Sequence, residues 1–82
     1  MKTETYVMNK GIPCIRDFGF GGWMNHELFE GLVYDVTNLK LGLNPDDGEM
    51  GYSFELWDED GWIGNYKVRK SDWENGVRKI AI

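Results

Sequence analysis

The chain has a single cysteine, Cys14, and a single histidine, His26. A lone cysteine excludes an intramolecular disulfide, and one His with one Cys cannot supply the ligands of a structural zinc site. Long apolar runs are also missing. No window approaches the roughly 18 apolar residues of a membrane span, and the opening MKTETYVMNK lacks the apolar core of a signal peptide. Basic charge is scarce over most of the length: residues 1–66 hold twelve acidic and four basic side chains, residues 67–82 two and five, and the net charge is −5. That balance argues against direct binding to nucleic acid. The expectation is a cytoplasmic protein without cofactor or bound metal, touching neither nucleic acid nor membrane directly.

With 82 residues there is room for one domain, spanning 1–82. A domain of this size buries roughly 60–65% of its unfolded surface, so the core is thin. A deep active site would consume it, and a shallow groove or surface is the economical place to bind. Four each of Trp, Tyr and Phe are present, large side chains that build a core from few residues.

Apolar residues recur at the period of two that marks strands. LVYDVT (32–37) sets Leu32, Tyr34 and Val36 against Val33, Asp35 and Thr37. LKLGL (39–43) alternates Leu39, Leu41 and Leu43, and YSFELW (52–57) alternates Tyr52, Phe54 and Leu56 against Ser53, Glu55 and Trp57. WIGNYKV (62–68) reads as a strand returning on 52–57, and further strands are expected over about 3–8, 12–16 and 77–82. NPDDGEMG (44–51) and DEDG (58–61) carry turn chemistry. Ser71 and Glu74 in SDWE have the spacing of a capping box, which predicts one helical turn ended by Gly76. Residues 23–31 have the makings of another short helix. Short strands and eleven glycines predict a mostly β protein, a small barrel or curved antiparallel sheet of about five to six strands with at most one helical turn.

CIRD (14–17), LFEGLVYDV (28–36), FELWDEDG (54–61) and SDWE (71–74) occur in that order. In this the chain resembles the small SH3-like barrel proteins found in phages and bacteria. The resemblance covers roughly residues 12–75 and rests on the order of motifs, each weak alone. It implies an SH3-like fold and an accessory role in a phage or mobile element, and no reaction. The loop from Phe18 to Glu27 and the insert from Leu39 to Gly51 are longer than the pattern needs.

Several chemical readings fail on the residues themselves. The triplet Asp17-Phe18-Gly19 is that of protein kinases, but 82 residues cannot hold the rest of that machinery. The glycines near Phe20 lack the basic residue of a phosphate loop, for no Lys or Arg lies between Asp17 and Val36. A calcium loop with Gly61 or Gly48 at its sixth position puts Leu56 or Leu43 at its first, where an oxygen is required. Cys14 and His26 make a nucleophile and a base in principle, without an evident third group, and Cys14 in a strand reads as packing.

The aromatic residues carry the stronger signal. Tyr34, Phe54 and Leu56 are assigned to the core. Phe18, Phe20 and Trp23 lie in a glycine-rich stretch read as a contact loop beside the peptide-binding face of an SH3-like barrel, with Trp57 and Trp62 as further exposed candidates. Exposed aromatics contribute much of the binding energy at interfaces. Seven carboxylates and no basic residue fall between Asp46 and Asp60. Asp46, Asp47, Glu49, Asp58, Glu59 and Asp60 would steer the chain toward a basic partner. The expected function is non-enzymatic binding to a host protein that is thereby inhibited or redirected. An acidic mimic of nucleic acid, and a small-ligand or nucleotide binder assembled as an oligomer, are the alternatives.

Overall fold

The computed structural model describes residues 3–17, 22–44, 48–58 and 61–80, with backbone only at Asp58 and Trp62. Its strands are β1 (Thr3–Met8), β2 (Ile12–Asp17), β3 (Trp23–Leu28), β4 (Val33–Leu43), β5 (Met50–Asp58), β6 (Gly61–Arg69) and β7 (Val77–Lys79). One helix, α1 (Lys70–Gly76), precedes β7. All strands join in a single antiparallel sheet, ordered β3-β2-β6-β5-β4-β1-β7. The mostly β architecture with one short helix is as the sequence patterns predict, with seven strands where five to six were expected.

That order forces the sheet to curve. β6, β5 and β4 lie between β2 and β1, which puts these two about 19 Å apart in a flat sheet, at four spacings of about 4.8 Å. Only Asn9, Lys10 and Gly11 connect them, and the four Cα steps from Met8 to Ile12 reach about 14 Å at most. The sheet therefore rolls until the end of β1 meets the start of β2. Both junction residues, Met8 and Ile12, are almost wholly buried as a result.

The rolled sheet encloses Tyr6, Met8, Ile12, Cys14, Leu28, Val36, Phe54, Leu56, Tyr66 and Val68. Alternate residues of each strand supply this face, as the period of two requires. Trp73 of α1 closes one end. Its ring lies 5.1 Å from Tyr6 and Phe54 and 5.4 Å from Tyr52, centroid to centroid. A helix of seven residues is not stable alone, so this aromatic packing holds it. Gly76 ends the helix against β2, where a Cβ would come 2.2 Å from Ile12 Cδ1.

Four local expectations are corrected. The segments 32–37 and 39–43 are one strand, β4, bent by a bulge between Thr37 and Lys40 rather than broken. Asn38 takes a positive φ of 55° there, a conformation Asn tolerates, and its side-chain amide donates to the Glu55 carboxylate. Beyond this bend Leu41 and Leu43 are exposed rather than core. Residues 23–28 form a strand, not a helix, because pairing with β2 outweighs weak local helical preference. Finally, the capping box does not form: the N-cap is Arg69, Ser71 sits inside the helix, and Glu74 pairs instead with Lys70 at 2.6 Å.

Trp73→Ala is expected to cost about 3–5 kcal/mol in urea unfolding, the usual loss for a buried large aromatic. Trp57→Ala, at an exposed ring, should stay within about 1 kcal/mol. Equal losses at the two sites would refute the assignment of Trp73 as the end plug.

Candidate functional site

Pro13 sits second in β2 and has no backbone N–H to give. β2 nonetheless pairs with β3 over its whole length, from Ile12↔Leu28 to Asp17↔Trp23. An unbroken ladder is possible only if the bonded pairs are those of Ile12, Cys14 and Arg16, since bonded and non-bonded pairs alternate. The missing N–H of Pro13 then points away from β3, toward β6. On that side the ladder runs from Asp17↔Asn65 to Ile15↔Lys67 and stops. Beyond Lys67 no pair joins the two strands, and the N–H of Arg69, on the β2 side of β6, has no partner in β2.

The gap is a cleft of about 390 Å³. Pro13 and Ile15 of β2 form one wall, Val68 and Arg69 of β6 the other, and Leu43 and Met50 of the β4–β5 hairpin contribute apolar surface. At Ser53 and Lys67 the cleft meets a second, shallower hollow of about 410 Å³ bounded by Trp23, Lys40, Asn65 and Glu55. The two form one continuous trough. Lys67 stands at its middle, its Nζ 4.4 Å from the centroid of the Trp23 ring. That cation–π contact holds the half-exposed indole upright as a wall. Each hollow alone lies within the usual size range of ligand sites, about 300–1,000 Å³. Both are open hollows on the sheet surface, which provide volume without hollowing the core.

The candidate residues are divided by the fold. Trp23 lines the trough, but from strand β3 rather than from a loop. Glu49 lies on the cleft rim and makes a long ion pair with Arg69, at 3.7 Å. Trp57 is exposed at the far end of β5, outside both hollows. Phe18, Phe20, Asp46, Asp47, Glu59 and Asp60 lie outside the described residues, as do the side chains of Asp58 and Trp62. Pro13, Leu43, Met50, Ser53 and Lys67 escaped sequence reasoning. Only Pro13 left a signal, a proline within a strand pattern, which marks an edge or an interrupted ladder.

Cys14 and His26 are brought together as direct cross-strand partners. The arrangement is nevertheless that of a packed core. Burial pushes the Cys14 thiol up to about 11, opposed in part by the nearby Arg16, so the nucleophilic thiolate is absent at neutral pH. The His26 ring packs against Tyr66 at 5.9 Å and Phe29 at 6.4 Å. Arg16 lies over the Tyr66 ring at 5.4 Å and donates to the Ile63 carbonyl at 2.9 Å. Among the described residues no group of three or more His, Cys, Asp or Glu side chains is placed to hold a metal ion, and no helix is long and apolar enough to cross a membrane.

Comparison with known protein families, with curated proteins and with solved structures gave no match for this chain.

The buried acids set a pH limit. Burial raises Tyr6 to about 12, helped by its hydrogen bond to Glu4, and raises Tyr66 to about 12 as well. With Cys14 at about 11, the folded state favours the neutral forms, while the unfolded chain ionises at its ordinary, lower values. Stability is therefore undiminished below about pH 9 and falls as the pH rises toward 12. Urea midpoints should decline over that window, and in the native protein Cys14 should alkylate about 100-fold more slowly at about pH 8 than in the unfolded chain. A flat stability profile through pH 11 would contradict the assignment.

Proposed function

We propose that this chain is a non-enzymatic binding protein that docks on a host protein and lays an extended segment of it along the trough, inhibiting or redirecting that factor. The observation that supports the reading is the continuity of the two hollows at Ser53 and Lys67. An extended peptide needs a long, shallow receptor with apolar contacts and a few fixed polar groups. Leu43, Met50, Ile15 and Trp23 supply the first, and Lys67, Ser53 and the N–H of Arg69 the second. The inert Cys14 and the packed His26 fit such a role better than catalysis.

Charge adds the choice of partner. At −5 overall, with seven carboxylates and no basic residue between Asp46 and Asp60 and Glu49 on the cleft rim, the chain attracts a basic surface and repels nucleic acid. Such fields act mainly on association rate and fade with salt. An accessory role in a phage or mobile element, acting in the host cytoplasm, accords with the resemblance to small SH3-like barrels.

Tagged protein in bacterial lysate, at low and high salt, should retain one host protein in stoichiometric amount. Calorimetry with that protein should show at least a 10-fold loss of affinity for Met50→Asp and for Trp23→Ala, both exposed positions whose change spares the fold. Retention untouched by these variants but abolished by salt would replace the reading with the acidic mimic. Recovery of a small molecule in place of a protein would replace it with the ligand-binding alternative.

A further inference from the structure

The two edges of the sheet are built differently. β7 is three residues long, and its exposed Arg78 and Lys79 guard it, Lys79 being tied to Glu4 at 3.2 Å. Short length and basic side chains are how proteins keep an edge from pairing with another chain. β3 has neither protection. It is six residues long, runs in continuous register with β2, and its only charged residue is Glu27. Met24 is 62% exposed, and Phe29, just past the strand, is 52% exposed.

The placement of Pro13 also fixes which groups this edge offers. Met24, His26 and Leu28 are bonded to β2, so the N–H and C=O of Trp23, Asn25 and Glu27 point outward. Among the described residues β3 makes no backbone hydrogen bond except with β2. A row of outward donors and acceptors is a template for one more antiparallel strand.

We propose that the β3 edge pairs with the β3 edge of a second copy of this chain, antiparallel about a two-fold axis at Asn25. This register sets Asn25 against Asn25 of the partner subunit, and Trp23 against Glu27 of the partner subunit. All three are outward-facing residues, so each opposed pair exchanges both backbone hydrogen bonds. Charge favours it as well. Lys67 lies over Trp23 on the face that also carries Asn25 and Glu27. A carboxylate set beside Trp23 therefore meets the Lys67 ammonium, and symmetry makes the contact twice. The two Glu27 side chains are kept about four residues apart along the strands, roughly 14 Å. On the opposite face Met24 comes to lie against His26 of the partner subunit. The pairing uses the backbone edge of β3, while the side chains of Trp23, Asn25 and Lys67 also line the trough. Sedimentation of the chain alone reads the pairing without any bound segment, so the two proposals fail separately.

Sedimentation equilibrium over a broad concentration range tests it. The 9.5 kDa chain should associate reversibly to a dimer and no further. Asn25→Pro removes an outward N–H without touching the β2–β3 ladder, and should abolish the dimer with the circular dichroism spectrum retained. Glu27→Lys sets like charges together and should weaken association at least 10-fold, and the double variant Glu27→Lys/Lys67→Glu should restore it. A monomer at every concentration overturns the proposal. So does a dimer that survives both single variants, which would place the interface elsewhere. If Asn25→Pro does not fold, the charge reversal and its rescue decide alone: no weakening, or weakening without rescue, overturns it.

Discussion

A missing hydrogen-bond donor organises this molecule. Pro13 is surrounded by residues suited to a central strand, and β2 is central in fact, flanked by β3 and β6. A proline there is tolerated only where its absent N–H is not needed. The chain meets that condition by completing the ladder to β3 and abandoning the ladder to β6 after Ile15↔Lys67. The donor that Pro13 lacks would have met the Arg69 carbonyl. The ladder to β6 ends instead at Ile15↔Lys67, where the cleft lies, and the groups left free along β3 are those of Trp23, Asn25 and Glu27.

The remaining architecture makes the opening affordable. The short connector from Met8 to Ile12 rolls the sheet, and Trp73 caps the enclosed aromatic cluster, in which Phe54 and Tyr66 stack nearly parallel with centroids 5.6 Å apart. Burial is thus concentrated on the inner face, reaching the strand ends at Met8, Ile12 and Leu28. Ladder bonds lost at one corner of β2 are exposed to water and cost little net free energy, whereas loss inside the core would leave buried groups unpaired. The opposite face is free to carry Trp23, Lys67 and the polar residues between them.

Much of the fold was legible in the sequence because alternation is a strong signal where one face is buried. Tyr52, Phe54 and Leu56, and the returning strand through Tyr66 and Val68, show it plainly. The reading failed where a local signal has two structural meanings. The patterns over 32–37 and 39–43 read as two segments and proved to be one strand with a bulge between Thr37 and Lys40. The glycines before Trp23 suggested a loop, although the residues that follow are the far arm of a hairpin. SDWE has the spacing of a capping box, yet the strand β6 runs directly into α1 and leaves Ser71 inside it. The candidate site was less legible still. Its walls come from β2, β5, β6 and the β4–β5 hairpin, made neighbours by strand pairing between segments distant in the chain, and no contiguous motif records that meeting.

The central claim, that β2 and β6 part beyond Ile15 because Pro13 has no N–H, is tested most directly by amide hydrogen exchange resolved at single residues of β6. The account predicts slow exchange for Asn65 and Lys67, which are bonded across to β2, slow exchange for Tyr66 and Val68, which are bonded to β5, and fast exchange for Arg69. Protection of Arg69 equal to that of Lys67 would contradict it, because the ladder would then continue past Pro13 and the cleft would be closed.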